Sequence, residues 1–384
     1  MTEHPDAIDI AIVGAGPVGM TLALALASGP YRVLLIDRRA RTAWHNDPRA
    51  LALSYGTRQL LESLGAWHAN AATAIGAIHV SQRGGFGRTV IEASEHDLPA
   101  LGYVLRYRDL AAALDTRLAS TLFLENCTVG EVDGDRDCAT LPLAGAEAGR
   151  SLSARLVVHA EGSPDDDPAV TVCNYQQHAV VAEVRPRPAH AQRAWERFTP
   201  DGPLALLPLG QDYSVVFTVP PDKASRLLTL DEAAFLAALR AQFGQRIDFV
   251  ASGPRASFPL ALRVRRQITA ARQVWIGNAA QTLHPVSGQG FNLGLRDAWE
   301  LAEALLAAPG GDPGDATTLA AYARGRQIDR RASMAFTDGI VRLFSNDLAP
   351  LRVARGLGLL TLDLLPPLRH FVARRMIWGG RAWP

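Results

Sequence analysis

Three features of the sequence predict an α/β fold in which a parallel sheet carries an inserted antiparallel sheet and ends in helices. The first is a strand–turn–helix–strand unit within the opening 37 residues. The second is a run of short strands across 176–220 and 258–268, punctuated by proline and glycine. The third is a shift after residue 292 to long stretches with helical apolar spacing.

Each element follows from local chemistry. Residues 8–13 (IDIAIV) form a short β-branched apolar run that stops at a glycine, the pattern of a buried strand. Val18 to Ser28 is Ala/Leu-rich and reads as a helix, and Arg32 to Ile36 is a second strand closing on Asp37. A β-α-β unit this short starts a parallel sheet. Further helices are predicted over Tyr55–Leu64, over Asp109–Ala119 with Leu110, Leu114 and Leu118 on one face, and over Asp231–Phe243, whose acidic start suits the helix dipole. Others are expected over about Asn292–Leu306, Thr317–Phe344 and Leu348–Leu365. Short strands are expected over 75–92 around Gly84-Gly85, over 121–160, and at Val274–Ile276. The expected partition assigns 1–75, 101–170 and 271–308 to a nucleotide-binding domain, 76–100 and 171–270 to a substrate domain, and 309–384 to C-terminal helices.

Composition narrows the function. A chain of 384 residues that is 48% hydrophobic supports a large core and about two domains. Its formal charge of +1 points to no nucleic acid and no acidic partner. Cys127, Cys138 and Cys173 form neither a CxxC pair nor a metal-ligand spacing, so free thiols in a reducing compartment are expected, and no metal. Glu3 and Asp6 stand where an export signal would be basic. No stretch reaches the roughly 20 apolar residues of a membrane span, and Gly356–Leu368 is broken by Asp363 and Pro366-Pro367. A cytoplasmic protein is expected.

Two glycine-rich segments carry the chemistry. Gly14-Ala15-Gly16-Pro17-Val18-Gly19 follows a strand and opens a helix, and Asp37 ends the next strand 18 residues past Gly19. This is the Rossmann-type arrangement. Gly14 makes the tight turn, Gly16 admits a diphosphate to the backbone, Gly19 lets helix pack on strand, and Asp37 accepts ribose hydroxyls. That motif does not separate a nicotinamide from a flavin dinucleotide. Residues 277–292 run Gly-Asn-Ala-Ala-Gln-Thr-Leu-His-Pro-Val-Ser-Gly-Gln-Gly-Phe-Asn. Here Asn278 can reach a polyol chain, and Pro285 can lie against a flat ring. Gly288-Gln289-Gly290 offers backbone N–H groups at a helix start, which favours negative charge on a reduced isoalloxazine.

Together these segments resemble the class A flavoprotein aromatic hydroxylases, and within them the ubiquinone-biosynthesis hydroxylases. The stretches 195–208 (WERFTPDGPLALLP) and 258–262 (FPLAL) are similar to that group too. The resemblance spans about residues 8 to 375. It implies a Rossmann-type FAD-binding domain, an inserted antiparallel β-sheet substrate domain and a helical C-terminus. It implies FAD contacts at Gly14, Gly16, Gly19 and Asp37, at Arg49 within Asp47–Leu53, and at Arg106, Glu161, Asn278 and Asn292. Pro285, Gly288, Gln289 and Gly290 would line the reactive ring, with His284 structural rather than a base. The implied reaction has NAD(P)H or another donor reduce FAD. Oxygen then gives a C4a-hydroperoxide, which hydroxylates a polyprenylated phenol. A different aromatic substrate, a nicotinamide-only dehydrogenase and a non-catalytic flavin subunit of a quinone-biosynthesis complex are the alternatives.

Two segments depart from or add to that pattern. The family's middle motif, G-A-D-G-x-x-S, here reads His159-Ala160-Glu161-Gly162-Ser163, and the loop Pro164 to Pro168 carries three aspartates and no arginine. A cation-poor loop is a poor seat for NADPH phosphates. From Ile340 onward seven arginines face two acids, Asp347 and Asp363, with leucines, Phe371, Trp378 and Trp383 interleaved. That pattern predicts either a peripheral contact with an anionic inner membrane or packing against the protein's own core or a partner.

Overall fold

The computed structural model describes residues 8–163, 167–308, 311–346 and 348–379. Glu3, Asp6, Pro164, Asp165, Asp166, Asp347, Arg381 and Trp383, invoked above, lie outside the described residues.

The first strand, Ile8–Val13, lies between Val33–Ile36 and Ser151–His159, parallel to both. Leu122–Leu124 extends the sheet beyond Val33–Ile36, and Gln273–Trp275 pairs with the end of Ser151–His159. The strands are largely apolar because both faces are covered, one by helices and the other by the strands Cys127–Val129 and Ala139–Gly145. Ile10, Ile12, Leu35, Leu156, Val158 and Val274 are buried against Met20, Leu22 and Leu26 of the helix Pro17–Leu26 and against Leu295 and Leu301 of the helix Gln289–Leu306.

A second sheet runs Gln281–Thr282, Ala256–Arg265, Val170–Arg187, Asp212–Val219, Gly202–Leu209, Arg193–Thr199, Ala77–Gln82, Arg88–Glu92. One face packs on two helices, Pro221–Thr229 and Glu232–Phe243, through Val180, Leu204, Leu206, Val215 and Phe217 against Phe235, Leu239 and Phe243. Asp231 caps the second helix by accepting from the Ala234 amide at 2.7 Å. A three-stranded sheet, Ala50–Ser54, Gly102–Arg106 and Thr73–Ile75, bridges the two units.

Three features differ from the sequence reading. One pair in the second sheet, Arg193–Thr199 with Ala77–Gln82, is parallel, because the two strands arrive from segments more than a hundred residues apart and no hairpin joins them. Helices also form over Pro221–Thr229, to which the sequence reading assigned no element, and over Pro366–Trp378, where paired prolines read as a break. In both, proline occupies the first turn, where its missing N–H costs nothing and its fixed φ suits the helix. The described part of the last two helices, Ala349–Leu364 and Pro366–Trp378, therefore folds as a hairpin across the second sheet's edge rather than as one helix and a tail.

Candidate active site and cofactor cavity

A cavity of about 500 Å³ opens at the carboxyl ends of the parallel strands. Gly14, Gly16, Asp37, Arg49, Glu161, Asn278 and Gly290 line it, so residues from both glycine-rich segments meet there. Such a crevice is where open α/β sheets bind ligands.

The turn at Gly14 is fixed by its surroundings. Its amide donates to the Ile36 carbonyl at 2.7 Å, and its φ is +105°. A Cβ there would lie 2.4 Å from the carbonyl carbon of Ala160 and 2.5 Å from Cα of Glu161. The middle motif thus crosses directly over the first turn. Gly19 does not line the cavity; a Cβ on it would sit 2.0 Å from the Gly14 oxygen, so it permits helix and turn to touch.

The carboxylate of Asp37 accepts from the amides of Ala15 at 2.9 Å and Arg39 at 2.8 Å, which orders the loop ends around the cavity. Arg49 holds a bidentate pair with Asp47 and lies 4.8 Å over the ring of Tyr107. Tyr107 also lines the cavity, and burial pushes its hydroxyl up, with Arg49 and Arg39 working the other way. Ser163 and Phe291, inside the two motifs quoted above, line the cavity too, and Tyr107, Arg39, Thr128 and Gly294 are lining residues that the sequence reading did not name. Tyr107 was one position from a named residue; the others carry no local signal.

Arg106 was expected at the cofactor, and the structure sends it elsewhere. It ends the strand Gly102–Arg106 and pairs through both guanidinium nitrogens with Glu183, at 3.0 and 2.6 Å. Successive residues at that strand end point to opposite sides, so Tyr107 enters the cavity and Arg106 ties the bridging sheet to the second sheet.

The 277–292 segment wraps the start of the helix Gln289–Leu306. Gly290 faces the large cavity, while Gln289 and Asn292 line a smaller apolar pocket on the other side of the first turn. Gly288 adopts φ +62°, a conformation that only glycine takes without strain, and Ala52 packs against it. Asn292 donates to the carbonyls of Ala52 at 2.9 Å and Gly288 at 2.7 Å and accepts from the Ser54 amide, locking this loop to the bridging sheet. Pro285 and Gly288 are half-buried beside this junction, and Gln289 donates to the Met376 carbonyl at 3.2 Å.

His284 is buried, and its Nδ1 accepts from the Val286 amide at 3.1 Å. Burial pushes its pKa down to about 4. It is therefore neutral at physiological pH and shapes the loop. The depressed value makes a prediction. The unfolded chain binds a proton near pH 6.5 that the folded chain refuses until about 4, so stability falls as pH drops through that window. His79, also held to about 4 by burial and by Arg246, adds to the slope. Denaturant titrations of wild type and His284→Gln across pH 4–7 check this; equal slopes for the two proteins would count against it.

The middle motif finds its own partners. His159 stacks on Trp275 at 4.6 Å and bonds Glu161 at 3.3 Å and Gln273 at 3.0 Å. Arg265 covers the Trp275 ring and pairs with Asp167. The described part of this loop is thus not cation-poor; its arginine comes from a distant strand.

Beneath the cavity, Asp297 accepts from the Gly277 amide at 3.1 Å, from Gln281 at 2.6 Å and from Arg326 at 2.7 Å. Arg326 also pairs with Glu300 at 2.8 Å and Asp329 at 3.0 Å, and Asp329 with Arg296 at 3.0 Å. Against the cost of burial, these carboxylates push the Arg326 pKa up.

Residues 7–337 match the FAD binding domain family. A ubiquinone hydroxylase, UbiL of Rhodospirillum rubrum, is 35% identical, with 95% of this chain and 88% of the relative aligned. This chain belongs to the ubiquinone hydroxylase family of FAD-binding monooxygenases. The 3-demethoxyubiquinol 3-hydroxylase of Escherichia coli is 31% identical over 94% of this chain and 96% of its own. The fold is that of the class A flavin monooxygenases. The crystal structure of p-nitrophenol 4-monooxygenase PnpA from Pseudomonas putida superposes with a TM-score of 0.78 at 18% identity, covering 98% of this chain and 99% of the other.

The protein is an FAD-dependent aromatic monooxygenase, and its residues fit FAD. Arg39 and Arg49 stand beside Asp37 at one end of the cavity. At the other, Asn278 is exposed and Gly290 opens a helix.

Proposed function

We propose that this enzyme hydroxylates the ring of a phenol bearing a long isoprenoid tail during ubiquinone biosynthesis, in the manner of a 2-polyprenyl-6-methoxyphenol hydroxylase. NAD(P)H is the reductant. Bound FAD supplies the oxygen-activating chemistry. Gly14, Gly16 and Asp37 hold its dinucleotide end, with Arg49 and Glu161 beside them. Asn278, Pro285, Gly288, Gln289, Gly290 and Asn292 hold its ring end, where the positive end of the helix dipole favours negative charge. Few titrating side chains are needed, since the cofactor carries the hard chemistry.

The observation that supports the tailed substrate is the apolar surface of the C-terminal hairpin beside a small apolar pocket of about 60 Å³, across the helix start from the cavity. Ile75, Ile78, Ile91, Leu101, Ala373 and Ile377 line it, and the helix Pro366–Trp378 forms its outer wall. Outward, that hairpin exposes Leu357, Leu360, Leu364, Leu365, Leu368 and Phe371, with Arg352 and Arg374 at the surface. An apolar face with arginines suits an anionic membrane, in which such a substrate dissolves. No helix among the described residues is long and apolar enough to cross one. The proposed setting is a cytoplasmic protein on the inner membrane, within reach of other enzymes of the pathway. Flotation on anionic vesicles loaded with phenols of increasing tail length, with hydroxylation assayed in the floated fraction, tests both parts. Turnover should rise with tail length and track flotation. Equal turnover of a short, water-soluble phenol by unbound enzyme would overturn the reading in favour of a different aromatic substrate.

A further inference from the structure

The two faces of the second sheet differ. Alternate residues pack on the helices Pro221–Thr229 and Glu232–Phe243. The others look toward the cofactor loop. On the strand Arg193–Thr199, Trp195 reaches Phe243 and Arg197 bonds Ser81 on the helix side. Ala194 and Phe198 turn the other way. Ala194 packs with Ile75 and Val104 of the bridging sheet, and Phe198 packs with Val286, the neighbour of Pro285. Glu196 lies between them, about 7 Å along the strand from each at the usual rise per residue.

Its row across the sheet follows from the register. Glu196 pairs with Val80 and with Ala205, Ala205 with Val216, and Val216 with Val181. All five keep part of their surface uncovered, while Val180, Ala182, Leu204, Leu206, Val215 and Phe217, the helix-facing neighbours of Val181, Ala205 and Val216, are buried in the core. The row is a shallow floor of small apolar side chains with one carboxyl group. The Arg106–Glu183 pair bounds it on one side and the Phe198–Val286 contact on the other. No hydrogen bond or ion pair reaches the half-buried Glu196 among the described residues.

We propose that Glu196 is a catalytic residue that receives the phenolic proton of the substrate and holds its oxygen over the floor of the site. The assignment rests on the substrate being a phenol. The phenol O–H bond breaks, and its proton forms the O–H of the Glu196 carboxyl. The electron pair left on oxygen raises the density of the ring carbons ortho and para to it. Nothing is oxidised or reduced in this step, and the proton returns when the product leaves. Burial pushes the Glu196 carboxyl up to about 7, where it can both take and return a proton near neutral pH. Among the described residues on this side, Glu183 pairs with Arg106, Tyr175 bonds Asp338, and His284 accepts from the Val286 amide through Nδ1 while its Nε2 has no hydrogen-bond partner.

The test compares FAD-loaded wild type, Glu196→Gln and Glu196→Asp on a prenylated phenol, its O-methyl ether and a simple phenol. Glu196→Gln should bind FAD as wild type does. Its product formed per NAD(P)H consumed should fall at least tenfold, and the inflection near pH 7 in kcat should vanish, with partial recovery in Glu196→Asp. The variant should also be more heat-stable than wild type above pH 7. A carboxyl group raised from 4.5 to about 7 weakens the fold progressively between those values and fully above them. Unchanged coupling and an unchanged pH profile in Glu196→Gln overturn the proposal, as does a drop in its thermal stability. If wild type turns over the simple phenol but not the prenylated one, the tailed-substrate reading fails while the same comparison on the simple phenol still decides the role of Glu196.

Discussion

Replacing Arg326 with methionine should lower the unfolding free energy by about 3–5 kcal/mol and loosen FAD at the same time. Arg326 is among the largest fully buried side chains of the described residues, and it is the shared cation of Asp297, Glu300 and Asp329. Methionine fills much of the volume but leaves Asp297 and Asp329 buried with one fewer positive partner each. Arg296 still serves Asp329. Asp297 keeps only the Gly277 amide and Gln281. Those two belong to the 277–292 segment, so strain at Asp297 is passed to the cofactor loop. Denaturant unfolding of the apo and FAD-loaded forms measures both effects. An apo stability within about 1 kcal/mol of wild type would mean the network is near break-even, as some buried ion pairs are. The same substitution at Arg342, whose pair with Asp338 is largely solvent-exposed, should change little.

Gly14→Ala should weaken FAD binding by roughly 100-fold, about 2.7 kcal/mol. The added methyl meets the backbone of Ala160 and Glu161 at 2.4–2.5 Å, and backbone cannot rotate aside as a side chain can. A φ of +105° is itself costly for alanine, on the order of 1–3 kcal/mol. The turn must open, and it opens by pushing the middle motif away from the first strand. Flavin fluorescence quenching gives the affinity, and thermal unfolding of the apoprotein reports the cost to the fold. A variant that purifies with full FAD and an unchanged melting midpoint would show that the crossing is not tight. Gly290→Ala is the useful contrast: its Cβ would meet Leu283 at an ordinary 3.6 Å, so any loss there would come from the cofactor itself rather than from the fold.

Much of the architecture was legible because it is written in neighbouring residues. A β-branched run ending at Gly14, an Ala/Leu helix and a strand closing on Asp37 each declare a backbone shape within ten residues. The same holds for the 277–292 segment, where glycines and a proline before an apolar helix leave few conformations open. The paired prolines at 366–367 misled for the same local reason: they forbid a helix interior and favour a helix start, and composition alone does not say which.

The sequence by itself determined the turns, the helices, the two glycine segments and the family they resemble, since all of these depend on torsions and on side chains a few positions apart. Tertiary structure alone decided which charges meet. Arg106 left the cofactor for Glu183, 77 residues away, and Arg265 crossed 98 residues to Asp167. Asp297 became the hub beneath Gly277, and Glu196 was set without a hydrogen-bonding partner among the described residues, in a row assembled with four other strand positions. Long side chains reach whatever the packed elements bring near, and strand register, set by burial across the whole sheet, decides what that is.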